Sequence, residues 1–302
     1  MVSKQKSILF SALRKVYKLL RGTGVGNIPG VWVAHGLLFR LLWSKESVME
    51  VEGSKMYVNP NQLPRSYIRT FQFYVMSRGW EGLTTEMFKK VVKEGDTVVD
   101  LGANLGYYTL LAARLVGKKG KVYAFEPEPT NYALLLKNIE LNGYNNIVPM
   151  QEVVSNISGT VNFFLDEKDT GAHTMYRPEP KAKSIEVPSV TLDEFFRDQE
   201  PRINVIKMDI EGAEIAAVQG MERIIGENEN LKMFVEFYPA AIRRAGHSPQ
   251  EFARKLLEDY HFSILALDDY GKNREYWKIN NAEELMDLCT HRKVVNLFLE
   301  HR

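Results

Sequence analysis

Strand-like and helix-like stretches alternate along most of this chain, which predicts an α/β fold with helices on both faces of a mostly parallel sheet. Two observations carry the prediction. Short apolar runs of strand length recur at Thr97–Leu101, Lys121–Phe125, Ile147–Val154, Ile203–Ile210 and Lys232–Phe237. Helical patterns fall between them at Tyr108–Val116, Asn131–Leu141 and Ala213–Ile225, the second stopping at Asn142-Gly143.

The chain starts differently. Residues 1–45 hold Lys4, Lys6, Arg14, Lys15, Lys18, Arg21, Arg40 and Lys45 and no acid. The whole chain has 39 bases, 38 acids and a net charge of +1, so 31 bases face 38 acids, a net −7, after residue 45. The body is mildly acidic, and nothing in it reads as a nucleic-acid groove. Residues 1–50 read as a basic helical N-terminal extension and residues 51–302 as the main domain. In SILFSALRKVYKLL, Leu9, Leu13, Val16 and Leu20 share helical spacing while the bases fall largely opposite. Such a helix suits either packing on its own domain or peripheral contact with an anionic membrane through residues 4–21. The run VWVAHGLLFRLLW is too short for a span, which needs about 20 apolar residues, and no cleavable signal is visible. GTGVGNIPG separates the two helices.

Residues 46–95 carry a strand candidate, Lys55–Asn59, and a helix, Leu83–Val92. Val161–Leu165 and Ile185–Val190 read as strands and Leu192–Phe196 as a short helix. Pro249–Tyr260 reads as a helix and Phe262–Leu267 as a strand. The last strand, Val294–Leu299, follows only a short helical stretch, Ala282–Cys289, which allows an antiparallel entry. Of the chain's 302 residues 45% are hydrophobic, ample for a buried core. The single cysteine, Cys289, excludes a disulfide framework, fits a reducing and therefore cytoplasmic setting, and leaves no zinc-site spacing.

In open parallel sheets, ligands bind outside the carboxyl ends of the strands. The first such end is TVVDLGANLGYYTL. Gly102 and Gly106 permit a sharp turn and close approach to the backbone, and the following helix offers free N–H groups. The string is D-x-G-x-x-x-G rather than the G-x-G-x-x-G of a pyrophosphate-binding turn. The Cβ of Asn104 stands where a pyrophosphate would approach. An acid before the turn and an amide inside it suit a ligand with an amino-acid end. The second strand ends at Glu126, 24 residues after Gly102, where a carboxylate can accept both hydroxyls of a ribose.

TVVDLGANLGYYTL, YAFEPEPTNYALLLKNIELNG and VIKMDIEGAE, in this order, closely resemble the FkbM family of S-adenosylmethionine-dependent methyltransferases. SVTLDEFF and FVEFYP add to the resemblance, which runs from about Trp80 to Pro239. It implies the Rossmann-like seven-strand methyltransferase sheet with an antiparallel last strand. It implies S-adenosylmethionine as cofactor, with Asp100, Gly102, Ala103, Asn104, Gly106, Tyr107, Tyr108 and Thr109 at its methionine end. Glu126 and Pro127 would meet the ribose, assisted by Asn131 and, as an alternative to a plain helix-surface residue, Asn138. Glu152 and Val153 would flank the adenine. The family includes enzymes acting on hydroxyls of sugars and of other small molecules, which implies O-methylation of a small-molecule or glycan acceptor. Trp80-Glu81 matches a recurring acidic position.

A sulfonium carries an already activated methyl group. The protein need only align the acceptor in line with the S–CH3 bond and exclude water, positioning that can account for roughly 7–11 kcal/mol. A hydroxyl also needs a base or a metal. Asp209, Glu211 and Glu236 would converge above the sheet, raising one another's pKa as a base requires, or holding one divalent cation through oxygen ligands. Asp209 could instead cap the helix starting near Gly212. Glu214 reads as an exposed first-turn acid, and His173 either as a substrate-side base or as an exposed loop histidine. Two rivals remain at this level: a nicotinamide-dependent dehydrogenase, disfavoured by the glycine spacing, and a non-catalytic cofactor-binding or membrane-peripheral module.

Overall fold

A computed structural model of the protein describes residues 47–58, 81–166, 171–177, 181–198, 202–269 and 275–301. The basic arm and its proposed membrane face lie outside the described residues. Among those described, no helix is long and apolar enough to cross a membrane.

A hairpin comes first, β1 (Ser47–Val51) and β2 (Ser54–Val58), followed by α1 (Gly82–Val91). Then β3 (Thr97–Leu101), α2 (Tyr107–Val116), β4 (Lys121–Phe125), α3 (Pro129–Asn142) and β5 (Ile147–Met150) alternate. Three short strands, β6 (Val153–Val154), β7 (Gly159–Leu165) and β8 (Lys183–Val190), lead to α4 (Leu192–Phe195). The second half runs β9 (Val205–Met208), α5 (Glu214–Gln219), α6 (Glu222–Glu227), β10 (Lys232–Phe237), α7 (Pro239–Arg244) and α8 (Pro249–Arg254). It ends with β11 (Phe262–Leu267), β12 (Tyr276–Ile279), α9 (Ala282–His291) and β13 (Val295–His301).

The main sheet has the order β12-β11-β13-β10-β9-β3-β4-β5. β10, β9, β3, β4 and β5 pair in parallel. β13 runs antiparallel between β10 and β11, as the expected last strand does. Among the described residues the count is eight rather than seven, because β12 adds an antiparallel edge to β11. Tyr276 is 63% exposed and only Ile279 of that strand is buried, so no apolar run marked it in the sequence.

Both faces of the sheet are covered, and alternate residues serve different faces. On β10, Met233 and Val235 join the cluster under α5, α6, α8 and α9, while Phe234 joins the one under α1 and α2. On β3, Val99 and Leu101 face the first cluster and Val98 the second. Two-sided burial is why these strands read as unbroken apolar runs.

Two expected elements divide. Ile147–Val154 splits at Gln151–Glu152, with β5 in the main sheet and β6 in a separate small sheet of order β6-β8-β7. Ala213–Ile225 splits at Gly220, where an added Cβ would lie 1.9 Å from the carbonyl oxygen of Ser155. Close packing of the β6 segment against the helix thus requires the glycine, and the glycine ends α5.

Candidate active site

A cleft opens at the carboxyl ends of β3, β4 and β9. Leu101, Gly102, Asn104, Glu126, Pro127, Asn131, Glu152 and Val153 line it, together with Asp209, Ile210 and Glu211 after β9. Phe163 of β7 and Gly171, His173 and Met175 of the following loop join the lining.

The glycine turn is held by its neighbours. The N–H groups of Gly102 and Ala103 both donate to the carbonyl of Phe125, at 3.0 and 2.9 Å. Gly102 has φ +80°, and a Cβ there would lie 2.0 Å from the carbonyl oxygen of Asp209. Gly106 has φ +93°, and its Cβ would lie 2.7 Å from Leu135 Cδ1. Gly102 is therefore demanded by the main chain packed beside it as well as by the turn, and Gly106 by its left-handed backbone. Asn104 takes a left-handed φ of 51°, and its Oδ1 accepts from the N–H of Leu105 at 2.8 Å. Asp100 lies behind the turn, 2% exposed, accepting from Thr109 Oγ1 at 2.5 Å. Burial pushes its carboxyl up to about 6.

Glu126 is also buried. Its Oε2 accepts from the N–H of Asn104 at 2.8 Å. Its Oε1 accepts from the N–H of Glu128 at 2.9 Å and from Asn131 Nδ2 at 3.3 Å. A carboxylate offers about four lone-pair sites, so roughly one remains, on Oε2. Burial raises the group to about 7 although those donors pull it back.

A second cluster lies on the α1 side of the sheet. Lys207 of β9 stands opposite Asp100 of β3 and Phe234 of β10 in the strand register, and is 1% exposed. Its Nζ lies 3.5 Å from Asp209 Oδ2 and 5.0 Å from the ring centroid of Tyr108. It has no hydrogen-bond partner among the described residues. Burial disfavours the charge on Lys207, but Asp209, Glu81, Glu236 and Asp100 together hold its pKa above the usual lysine value. Carboxylate oxygens of Glu81, Asp209 and Glu236 approach within 4.8 Å of one another. Burial raises Glu81 and lifts Glu236 well above the ordinary glutamate range.

Glu81 is placed by a long-range cap. It is the N-cap residue of α1, with φ 45° and no side-chain cap bond. Its Oε2 accepts instead from Tyr108 Oη at 2.7 Å, and its Oε1 has no hydrogen-bond partner among the described residues. The helix is capped by Asp269, just beyond β11. Asp269 Oδ1 accepts from the N–H groups of Leu83 and Thr84 at 2.6 and 3.1 Å. Its Oδ2 accepts from Thr84 Oγ1 at 2.5 Å and from Asn296 Nδ2 at 3.0 Å.

The expected residues therefore fall into groups. Gly102, Asn104, Glu126, Pro127, Asn131, Glu152 and Val153 line the cleft. Asp100, Tyr107, Tyr108 and Thr109 are buried, and Ala103 and Gly106 shape the turn. Asp209 lines the cleft and joins Glu236, with Glu81, in the acidic cluster. Glu211 lines the cleft from a left-handed turn, φ 53°, its carbonyl accepting from Thr174 Oγ1 at 2.9 Å. Asp209 does not cap the helix that follows it, since the N-cap of α5 is Ala213, with no side-chain cap bond.

Glu214 corrects an expectation. It is 2% exposed, not a surface acid, and its Oε1 accepts from the N–H groups of Gly212 and Ile210 at 3.2 and 3.4 Å. Nor is Asn138 a surface residue. It is 1% exposed and bridges the N–H of Tyr57 and the carbonyl of Leu105, at 2.7 and 2.8 Å. His173 Nδ1 accepts from the N–H of Asp166 at 2.9 Å, which in the neutral ring leaves Nε2 as a donor. Lys207 and Asp269 went unnoticed in the sequence. The visible signal for Lys207 was a lysine inside the apolar run VIKMDI.

Residues 100–271, more than half of the chain, match the family described as Methyltransferase FkbM domain. The chain belongs to the FkbM methyltransferase family. Hexuronic acid methyltransferase AglP of Haloferax volcanii is 26% identical over 167 residues, covering 55% of this chain and 63% of AglP, less than two thirds of its length. Methyltransferase sdnD of Sordaria araneosa is 29% identical over 199 residues, covering 55% of this chain and 73% of sdnD. Among solved structures, the methyltransferase FkbM of Methylobacillus flagellatus KT aligns with a TM-score of 0.37 at 14% identity, covering 78% of this chain and 53% of that one.

An FkbM methyltransferase domain implies S-adenosylmethionine as the cofactor and counts against the nicotinamide reading. This protein's cleft fits the cofactor on chemical grounds. It has one open acceptor site on Glu126 at the end of β4, and a cluster of carboxylates to receive positive charge beside the glycine turn.

Proposed function

We propose that this protein transfers a methyl group from S-adenosylmethionine to a hydroxyl of a sugar, glycan or other small molecule. Gly102, Asn104, Glu126, Asn131, Glu152 and Val153 hold the cofactor, with Glu126 accepting one hydroxyl of the ribose. Asp100, Ala103, Gly106, Tyr107, Tyr108 and Thr109 support the turn from behind, and Pro127 shapes the edge. When bound, the sulfonium supplies the activated methyl group. The protein's remaining task is to orient the acceptor, exclude water and take up its proton.

Asp209 carries this reading. It is the member of the acidic cluster that also lines the cleft, with 30% of its side chain exposed. Lys207 pairs with its Oδ2, leaving Oδ1 to receive a proton. Glu211 stands beside it in the cleft lining, and Glu236 lies behind it. His173 serves as a hydrogen-bond donor to the acceptor rather than as a base.

A second reading gives the cluster a divalent cation held by Glu81, Asp209 and Glu236, whose oxygens approach closely enough to share one ion. Loss of turnover on chelation, restored by magnesium, would favour it.

The test is methyl transfer from labelled cofactor across a panel of glycosides, polyols and uronates. We expect label in a product that resists mild alkali, as an ether does. Label lost to mild alkali would mean a carboxyl ester and would overturn the hydroxyl assignment.

A further inference from the structure

Three carboxylates surround one lysine in a space from which water is largely excluded. Glu81, Lys207 and Glu236 are 3%, 1% and 8% exposed. Lys207 Nζ is within ion-pairing range of Asp209 yet makes no hydrogen bond among the described residues, and neither does Glu81 Oε1. Burial favours the protonated forms of Glu81 and Glu236, and a cation brought beside them favours the ionised forms, so the cluster responds to additional positive charge. Asp209 links it to the cleft, since the same side chain lines both.

The two forms of the cofactor differ by one charge. S-adenosylmethionine carries a sulfonium. Methyl transfer breaks the S–CH3 bond, its electron pair returns to sulfur, and S-adenosylhomocysteine leaves as a neutral thioether. In a poorly solvated setting a difference of one charge changes affinity strongly.

We propose that Glu81, Asp209 and Glu236 form a charge-reading well that holds the cationic cofactor more tightly than its neutral-sulfur product. Asp269 is the positioning residue that keeps Glu81 in it. Asp269 takes over the cap of α1, which leaves the Glu81 carboxylate turned into the cluster instead of onto its own helix. The well thereby eases product release, because the ligand it grips loses the charge it was gripped by. The inference rests on the cofactor reading above.

The experiment is calorimetric titration of the protein with each of the two compounds. We compare the ratio of their dissociation constants in the wild type, Glu81→Gln, Glu236→Gln, Asp269→Ala and the Glu81→Gln/Asp269→Ala double variant. Thermal midpoints are recorded for all. We expect the preference for the sulfonium to fall by about tenfold in Glu81→Gln and in the same direction in Asp269→Ala. The double variant should show no further fall, because Asp269 acts through Glu81. Glu236→Gln gives an independent reading if Glu81→Gln fails to fold.

Equal weakening of both compounds, or an unchanged ratio, overturns the well alone. A double variant whose losses add overturns the role of Asp269. Magnesium that binds the wild type and not Glu81→Gln overturns the proposal in favour of a metal. A folded wild type that binds neither compound removes the cofactor reading, and this proposal with it.

Discussion

A methyl carbon placed on Gly102 would meet the carbonyl oxygen of Asp209 at 2.0 Å. The turn after β3 and the turn after β9 are therefore pressed together, main chain against main chain. Gly102→Ala adds both this clash and a strained φ, and we expect it to destabilise the fold by more than about 3 kcal/mol. Gly143→Ala is the control: φ is +65° and nothing lies within 4 Å, so about 1 kcal/mol is expected. Urea denaturation compares the two, and equal losses would contradict the packing argument.

Asp209→Asn should abolish turnover, by about a hundredfold or more, while affinity for the neutral-sulfur product stays within about threefold. The amide keeps the shape but cannot take up a proton. Full activity in this variant would remove Asp209 from the chemistry.

Glu126→Gln should weaken cofactor binding by about tenfold or more. Its carboxylate already accepts three bonds, and an amide must turn either its oxygen or its NH2 toward donors that both need an acceptor. Calorimetric titration checks this, and wild-type affinity would argue against ribose contact.

Stability should fall as pH rises. Glu126 and Glu214 are raised from 4.5 to about 7, and Asp100 from 3.8 to about 6, each mainly by burial. A raised carboxyl keeps its proton in the folded state where the unfolded chain has lost it. That contribution is complete below the unfolded pKa and is lost as pH climbs through the folded one. One unit corresponds to about 1.4 kcal/mol, so Glu126 alone accounts for a change of about 3 kcal/mol between pH about 4.5 and about 7. Thermal midpoints of the cofactor-free protein across that range should therefore decline. A steady rise would show that the hydrogen bonds to these groups outweigh their burial.

Much of this was legible from the chain. The order of strands and helices followed from apolar runs and periodicity, and the glycine turn and Glu126 stood out by their places at strand ends. What escaped depended on burial or on contacts distant in sequence. Glu214 looked like an ordinary first-turn acid because nothing local reveals that its carboxylate folds back onto the Gly212 turn. Asn138 looked like helix surface because its two partners, Tyr57 and Leu105, lie 81 and 33 residues away. Asp269 caps a helix more than 180 residues upstream, beyond the reach of any capping motif. β12 lacked an apolar run because it is an exposed edge.

The placement of β13 has a consequence for biosynthesis. This segment slots between β10 and β11, both of which leave the ribosome before it. Until it arrives, β10 offers an unpaired apolar border and β11 has no neighbour on that side, the kind of exposure that chaperones guard. Asn296, which steadies Asp269, travels on the same late segment. The nascent chain can thus complete its glycine turn early, yet it acquires the fastening of Glu81 only when nearly all of the described sequence has been made.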